Sequence, residues 1–208
     1  MDTVDRAREI VTVLFDRFET LDVFGPIEVL GRMREHFVPG FYAHRGGRVS
    51  SVQGVTIECR PFNDVRSSAY ILLIPGGIGT RGLLQDTAYI DALASLAAHA
   101  QFVLTVCTGS ILYSRTGQLD GRRATTNKRA FHWAGQVSPK VVWVKKARWV
   151  KDGTIYSSSG VSAGLDMALG FVADQFGESV AVQQSNEIEY DWKRNPEWDP
   201  FADLYPEV

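Results

Sequence analysis

Residues 101–121 read QFVLTVCTGSILYSRTGQLDG. Gln101–Val106 is a short apolar run, the pattern of a strand covered on both faces. Immediately after Cys107 the pattern becomes that of a helix, Thr108–Thr116. The cysteine therefore sits at a strand-to-helix turn, beside amides that the first turn of a helix leaves unpaired. Such amides favour a thiolate and lower the pKa of the thiol. A lone cysteine in an apolar setting is otherwise a small buried hydrophobe, which is the reading given to Cys59. For Cys107 the strand–Cys–Thr–Gly–helix order favours a nucleophile.

The same alternation of strand and helix extends outward in both directions. Ile10–Phe15 and Tyr70–Ile74 read as buried strands, Phe37–His44 as a further strand, and Val49–Ile57 as a hairpin marked by Gly46-Gly47 and Gly54. Leu21–Arg34 carries a helical stripe interrupted by Gly25-Pro26, so the helix starts there or has a proline in its first turns. Ala88–His99, Val161–Phe176 and Glu178–Tyr190 read as helices. Lys140–Val150 and Thr154–Ser157 read as an antiparallel pair turning at Asp152-Gly153. The pattern predicts an α/β sandwich with a mostly parallel sheet. From Asp191 the segment to Val208 is irregular, and its aromatics are expected to pack on this domain or on a second subunit.

At 208 residues and 45% hydrophobic, the chain is expected to form one domain, residues 1–208. A net charge of −2 without long blocks of one sign suggests neither nucleic acid nor a membrane surface as partner. No apolar run approaches the ~20 residues that span a bilayer. The charged start MDTVDRAREI does not resemble a signal peptide. Two cysteines without ligand spacing argue against disulfides and structural zinc, so a reduced, cytoplasmic setting is expected. His36, His44, His99 and His132 lack ligand spacing, and neither metal nor organic cofactor is predicted.

In open α/β sheets, ligands gather beyond the carboxyl ends of strands. Three such ends carry Glu19 and Asp22, the turn Pro75-Gly76-Gly77-Ile78-Gly79, and Cys107-Thr108-Gly109. A carboxyl beside the thiol is pushed toward its neutral form and can then serve as general acid and base. Gly76-Gly77 can turn an N–H toward the same point and complete an oxyanion-type donor pair with the amides after Cys107. Asp22 as a mere helix cap, and Glu19 as a solvated turn residue, are the plainer alternatives.

The stretches VLFDRFETLDVFGPIEVL, ILLIPGGIG, VCTGSILYSRTGQLDGRRATTN and SSSGVSAGLDMAL together resemble the DJ-1/PfpI superfamily, most closely its isonitrile hydratase branch. They are also similar to the ligand domain of certain AraC-type regulators. The resemblance implies a flavodoxin-like three-layer α/β/α sandwich, a homodimer, and a cysteine on a nucleophile elbow. It assigns Cys107 as nucleophile and Asp22 as the acid that hydrogen-bonds it. It gives the Thr108 amide and hydroxyl to the site, with Gly77 as backbone donor. Gly76, Ile78, Asn127 and Val161 become pocket residues, Val161 marking a helix packed near the cysteine. Thr108 stands where the peptidase and amidotransferase branches carry histidine, so Cys–His acyl transfer has no obvious base. Asn127 stands where the hydratase pattern has histidine, and Ser157–Gly160 replaces a glycine-rich stretch. No helix-turn-helix module follows, so a DNA-binding role is not expected.

The expected reaction is hydration of an isonitrile to an N-substituted formamide. Glyoxal-type hydration or protein repair would draw on the same residues. An oxidisable or electrophile-sensing thiol and a non-catalytic small-molecule-binding domain are the rival classes.

Overall fold

The computed structural model describes residues 7–65 and 69–205, so most of the charged start of the chain, Met1–Arg6, lies outside them. In chain order the elements are β1 (Arg8–Leu14), α1 (Thr20–Gly31), β2 (Phe37–Ala43), β3 (Arg45–Ser50), β4 (Thr56–Pro61), β5 (Ile71–Ile74), α2 (Thr80–Leu83) and α3 (Thr87–Ala98). There follow β6 (Phe102–Val106), α4 (Gly109–Ser114), β7 (Arg123–Ala124), α5 (Phe131–Val137), β8 (Val142–Trp143), β9 (Trp149–Asp152), β10 (Ile155–Ser158), α6 (Ala163–Phe176) and α7 (Glu178–Glu187).

Eight strands form one sheet in the order β3-β4-β2-β1-β5-β6-β10-β9. The six inner strands run parallel, and β3 and β9 close the two edges as antiparallel partners of β4 and β10. Because side chains alternate across a strand, each apolar run feeds two layers. Val11, Val13, Leu72, Ile74 and Val103 pack with Leu93, Ile111, Leu112 and Ala134 of α3, α4 and α5. Ile10, Ile71, Leu73, Leu104 and Val106 pack with Val29, Leu30, Met167, Leu169 and Ala181 of α1, α6 and α7. The result is the expected α/β/α sandwich.

One local expectation changes. The Lys140–Val150 strand is shorter than predicted: only Trp149–Asp152 joins the sheet, while Val142-Trp143 pairs with Arg123-Ala124 in a separate two-stranded sheet. The segment between them leaves strand geometry to bring Ala147 and Arg148 inside, where polar groups await them. Of the two readings of Gly25-Pro26, the second holds: Pro26 lies inside α1 and does not start it. Its missing N–H leaves the carbonyl of Asp22, four residues earlier, without a helical donor.

The chain runs from β1 to β2 on one side, then crosses to β5 on the other side of β1. This reversal of order is the switch point at which a parallel sheet opens a crevice at its carboxyl edge. Asp22 follows β1, Gly76 follows β5 and Cys107 follows β6, so all three face that edge.

Candidate active site

Cys107 is the first of two residues between β6 and α4 and has a backbone φ of 57°, a left-handed conformation uncommon outside glycine. That conformation costs on the order of 1–3 kcal/mol, and the surroundings hold it. The Cys107 N–H donates to the carbonyls of Ser158 and Ser159 at 3.3 and 3.1 Å. Its carbonyl accepts from Ser110 Oγ at 3.0 Å and Thr126 Oγ1 at 2.8 Å. Gly109 is required two residues on, because a Cβ there would lie 2.2 Å from the Ile74 carbonyl oxygen.

Asp22 is fully buried and does not cap its own helix. Its Oδ2 accepts the Gly76 N–H at 2.9 Å. Among the described residues Oδ1 has no nitrogen or oxygen donor, and the Cys107 thiol faces the carboxyl. A side chain on Gly76 would collide with this arrangement: its Cβ would stand 2.5 Å from Thr108 N and 2.9 Å from Asp22 Oδ2. Glu19 is half-buried, bonded to Gln53 Nε2 at 2.6 Å, and acts on Asp22 through its charge.

The expected oxyanion donors need correction. The Gly76 N–H serves Asp22, and the Gly77 N–H donates to Thr108 Oγ1 at 3.1 Å. Thr108 Oγ1 also receives a bond from Thr80 Oγ1 at 3.2 Å. The Thr108 hydroxyl therefore braces the glycine turn, and only the Thr108 amide turns to the sulfur. The N–H groups facing Cys107 are those of Thr108, Val161 and the Asn127 side chain. Val161 precedes α6 in another left-handed conformation, φ 43°, which turns its amide inward. The Asn127 amide is admitted by Gly160, where a Cβ would lie 2.5 Å from Nδ2. Ile78 is 39% exposed and belongs to the rim of the site.

Burial governs the charges. Loss of water pushes the Asp22 carboxyl up to about 8; the Gly76 N–H opposes this and the charge of Glu19 adds to it. The Cys107 thiol is also pushed up, first by burial and then by the charge of Asp22, against the three N–H donors. The lowered thiol expected from the helix start is thus overturned: α4 is six residues long, and the desolvation of a buried thiolate outweighs its amides. The contribution from Asp22 exists only while Asp22 is ionised. The pair therefore rests neutral near pH 7, with protons on both oxygen and sulfur. Cys59 is a buried hydrophobe, as expected, with its thiol raised to about 11 by burial.

Sequence reasoning missed a neighbouring cluster of buried charges, Lys128, Arg148, Asp166 and Asp199. Its one visible sign was Asp166, a charge within the apolar stretch SAGLDMALGF. Among the described residues, no group of three or more His, Cys, Asp or Glu side chains is placed to hold a metal ion. No helix among them is long and apolar enough to cross a membrane.

The sequence matches the model of the DJ-1/PfpI family over residues 8–174. It is 30% identical over 190 residues to an isonitrile hydratase of Pseudomonas putida, an alignment covering 88% of this chain and 79% of that one. It is 36% identical over 143 residues to the HTH-type transcriptional regulator CdhR of Pseudomonas aeruginosa, covering 69% of this chain and 42% of the regulator. Among solved structures, a ThiJ/PfpI family protein from Pseudomonas syringae superposes with a TM-score of 0.79 at 26% identity, over 92% of this chain and 79% of that one.

Proposed function

The chain belongs to the DJ-1/PfpI family, and on that premise we propose that it adds water to isonitriles to give N-substituted formamides. The observation that carries the reading is a fully buried carboxyl, Asp22, facing the Cys107 thiol, and its burial pushes it up to about 8. A carboxyl of ordinary pKa has no proton to give at neutral pH; this one does.

The terminal carbon of the isonitrile enters beside Cys107 Sγ. As the S–C bond forms, Asp22 passes its proton to that carbon and takes up the proton leaving the thiol. The product is a thioimidate on Cys107. Asp22 next protonates the nitrogen while it accepts a proton from the water that attacks the same carbon. Collapse of the tetrahedral adduct breaks the C–S bond, returns the hydroxyl proton through Asp22 to sulfur, and releases the formamide. The amides of Thr108, Val161 and Asn127 stabilise the charge that builds on sulfur. A thiol suits the soft carbon electrophile, and no external cofactor enters the balance.

Incubation with cyclohexyl isocyanide should yield the formamide, and Cys107→Ala and Asp22→Asn should each reduce turnover to background. Because Asp22 acts as the acid, turnover should fall as pH rises through about 8. Wild-type rates in Cys107→Ala would refute the reading. The likeness to the regulator favours one second reading, a ligand-binding domain without turnover. It predicts a thermal shift with isocyanide, retained in Cys107→Ala, and no formamide.

The proposal includes a homodimer. The exposed Trp198, Phe201, Leu204 and Tyr205 of the C-terminal segment offer an apolar patch for it. A monomer in sedimentation equilibrium at micromolar concentration would remove that part.

A further inference from the structure

We infer that four buried charged side chains, Lys128, Arg148, Asp166 and Asp199, are positioning residues that hold the Asn127 and Val161 donors against Cys107, linking the C-terminal segment to the reactive thiol. The inference rests on Cys107 as the reactive group, but not on which electrophile it meets.

All four side chains are withdrawn from water, none more than 5% exposed. Lys128 directly follows Asn127. Its Nζ donates to Thr125 Oγ1 at 2.9 Å and to the Ala147 carbonyl at 2.7 Å, and stands 3.7 Å from Asp199 Oδ2. The segment from Thr125 to Lys128 is thereby fixed on both sides of Asn127. The same segment supplies Thr126 Oγ1, which anchors the Cys107 carbonyl.

Arg148 does the equivalent for the segment carrying Val161. Its Nε donates to Asp166 Oδ2 at 2.6 Å, and its guanidinium reaches Ser162 Oγ at 3.4 Å. Its carbonyl accepts the Ser159 N–H at 2.8 Å. Residues 159–162 are therefore held at both ends by one arginine, with Val161 between, and the Ser159 carbonyl in turn receives the Cys107 N–H. Asp199 closes the set from the C-terminal segment, 3.9 Å from the Arg148 guanidinium.

Two cations and two anions balance, yet stability alone does not call for them. Buried ion networks are commonly replaced by apolar side chains at no loss, whereas removal of one partner is costly. Their gain here is direction. Charged groups with fixed hydrogen-bond geometry set where two loops stop, and those loops carry two of the three N–H groups that face the sulfur. Burial holds Lys128 down to about 8 while Asp199 opposes it, so its charge depends on the partner from the C-terminal segment.

The test reads the thiol itself. Cys107 alkylation by iodoacetamide is followed against pH by intact mass, with Cys107→Ala subtracting any labelling of Cys59. The double variant Lys128→Met/Asp199→Leu removes one charge of each sign, so no net field is added. It should move the alkylation midpoint to higher pH and slow labelling below that midpoint roughly threefold to tenfold, the consequence of about 0.5–1 pH unit. Ser162→Ala removes only the Arg148 guanidinium contact to the loop, leaves the Ser159 N–H bond to the Arg148 carbonyl, and should slow labelling about twofold to threefold with the same direction of shift. Wild-type midpoint and rate in Ser162→Ala, or in a double variant whose circular dichroism matches wild type, would overturn the inference. Neither readout needs an isonitrile, so failure here and failure of the hydratase reading are distinguishable.

Discussion

Asp22 has lost water and gained one hydrogen bond, from the Gly76 N–H. The folded protein therefore holds a proton that the unfolded chain releases above its ordinary value of 3.8, up to about 8. The sign follows: the contribution of Asp22 to stability is greatest below the unfolded pKa, declines as pH rises from about 4 to 8, and is constant above. Asp22→Asn keeps an acceptor for Gly76 and carries no charge. It should match wild type in thermal melts near pH 4 and exceed it at pH 9 by on the order of 2–5 kcal/mol. Equal melts at pH 9 would mean that Asp22 is not held neutral by burial. Gly76→Ala acts on the same spot from the other side. Its methyl needs the space of the Thr108 amide and the Asp22 carboxyl, so the pairing of carboxyl and thiol should be broken. Alkylation of Cys107 in that variant should lose its dependence on Asp22, seen as equal rates in Gly76→Ala and Gly76→Ala/Asp22→Asn.

The strands were legible because a sheet covered on both faces demands near-continuous apolar runs, and Ile71–Ile74 and Phe102–Val106 are such runs. The turn carrying Cys107 was legible because the period changes there within one residue. The position of Asp22 at the carboxyl edge of the sheet was legible from strand ends alone. The donors were not, since which N–H faces sulfur depends on Val161 and Asn127, 54 and 20 residues beyond Cys107, and on left-handed backbone that sequence does not announce. The Lys140–Val150 strand failed for a related reason: the partners that draw Arg148 inward, Asp166 and Asp199, are 18 and 51 residues further along. At the same scale α6 approaches the sheet through a glycine. A Cβ on Gly164 would already stand 3.1 Å from the Val106 side chain and 3.3 Å from Pro26 of α1. Gly164→Val adds two methyls to that contact, and should destabilise by about 1–3 kcal/mol in urea unfolding. Because Val106 precedes Cys107, the same variant should also slow Cys107 alkylation.

At the scale of the molecule, the irregular segment after α7 is largely exposed but is tied to the interior by specific hydrogen bonds. Trp192 Nε1 donates to the Asp166 carbonyl at 3.2 Å, and the Lys193 N–H to Asp166 Oδ1 at 2.9 Å. The Pro196 carbonyl accepts the Arg148 N–H at 2.7 Å, and the Asp199 N–H donates to the Lys146 carbonyl at 2.7 Å. Its aromatics are divided, with Trp198 and Phe201 facing out. So are its charges: Asp191, Lys193, Arg194 and Glu197 are exposed, whereas Asp199 is 3% exposed beside Lys128 and Arg148. Ending the chain at Tyr190 removes one anion from a buried balanced set and opens Asp166 to water. A buried cation without its partner costs about 3–5 kcal/mol, a large part of the 5–15 kcal/mol that typically separates folded from unfolded chains. The truncated chain should therefore melt well below wild type in calorimetry. Adding Lys128→Met to the truncation should recover part of the loss, because the apolar side chain has no charge to leave unpaired. A truncation that melts at the wild-type temperature would show that the segment rests on the body without contributing to it.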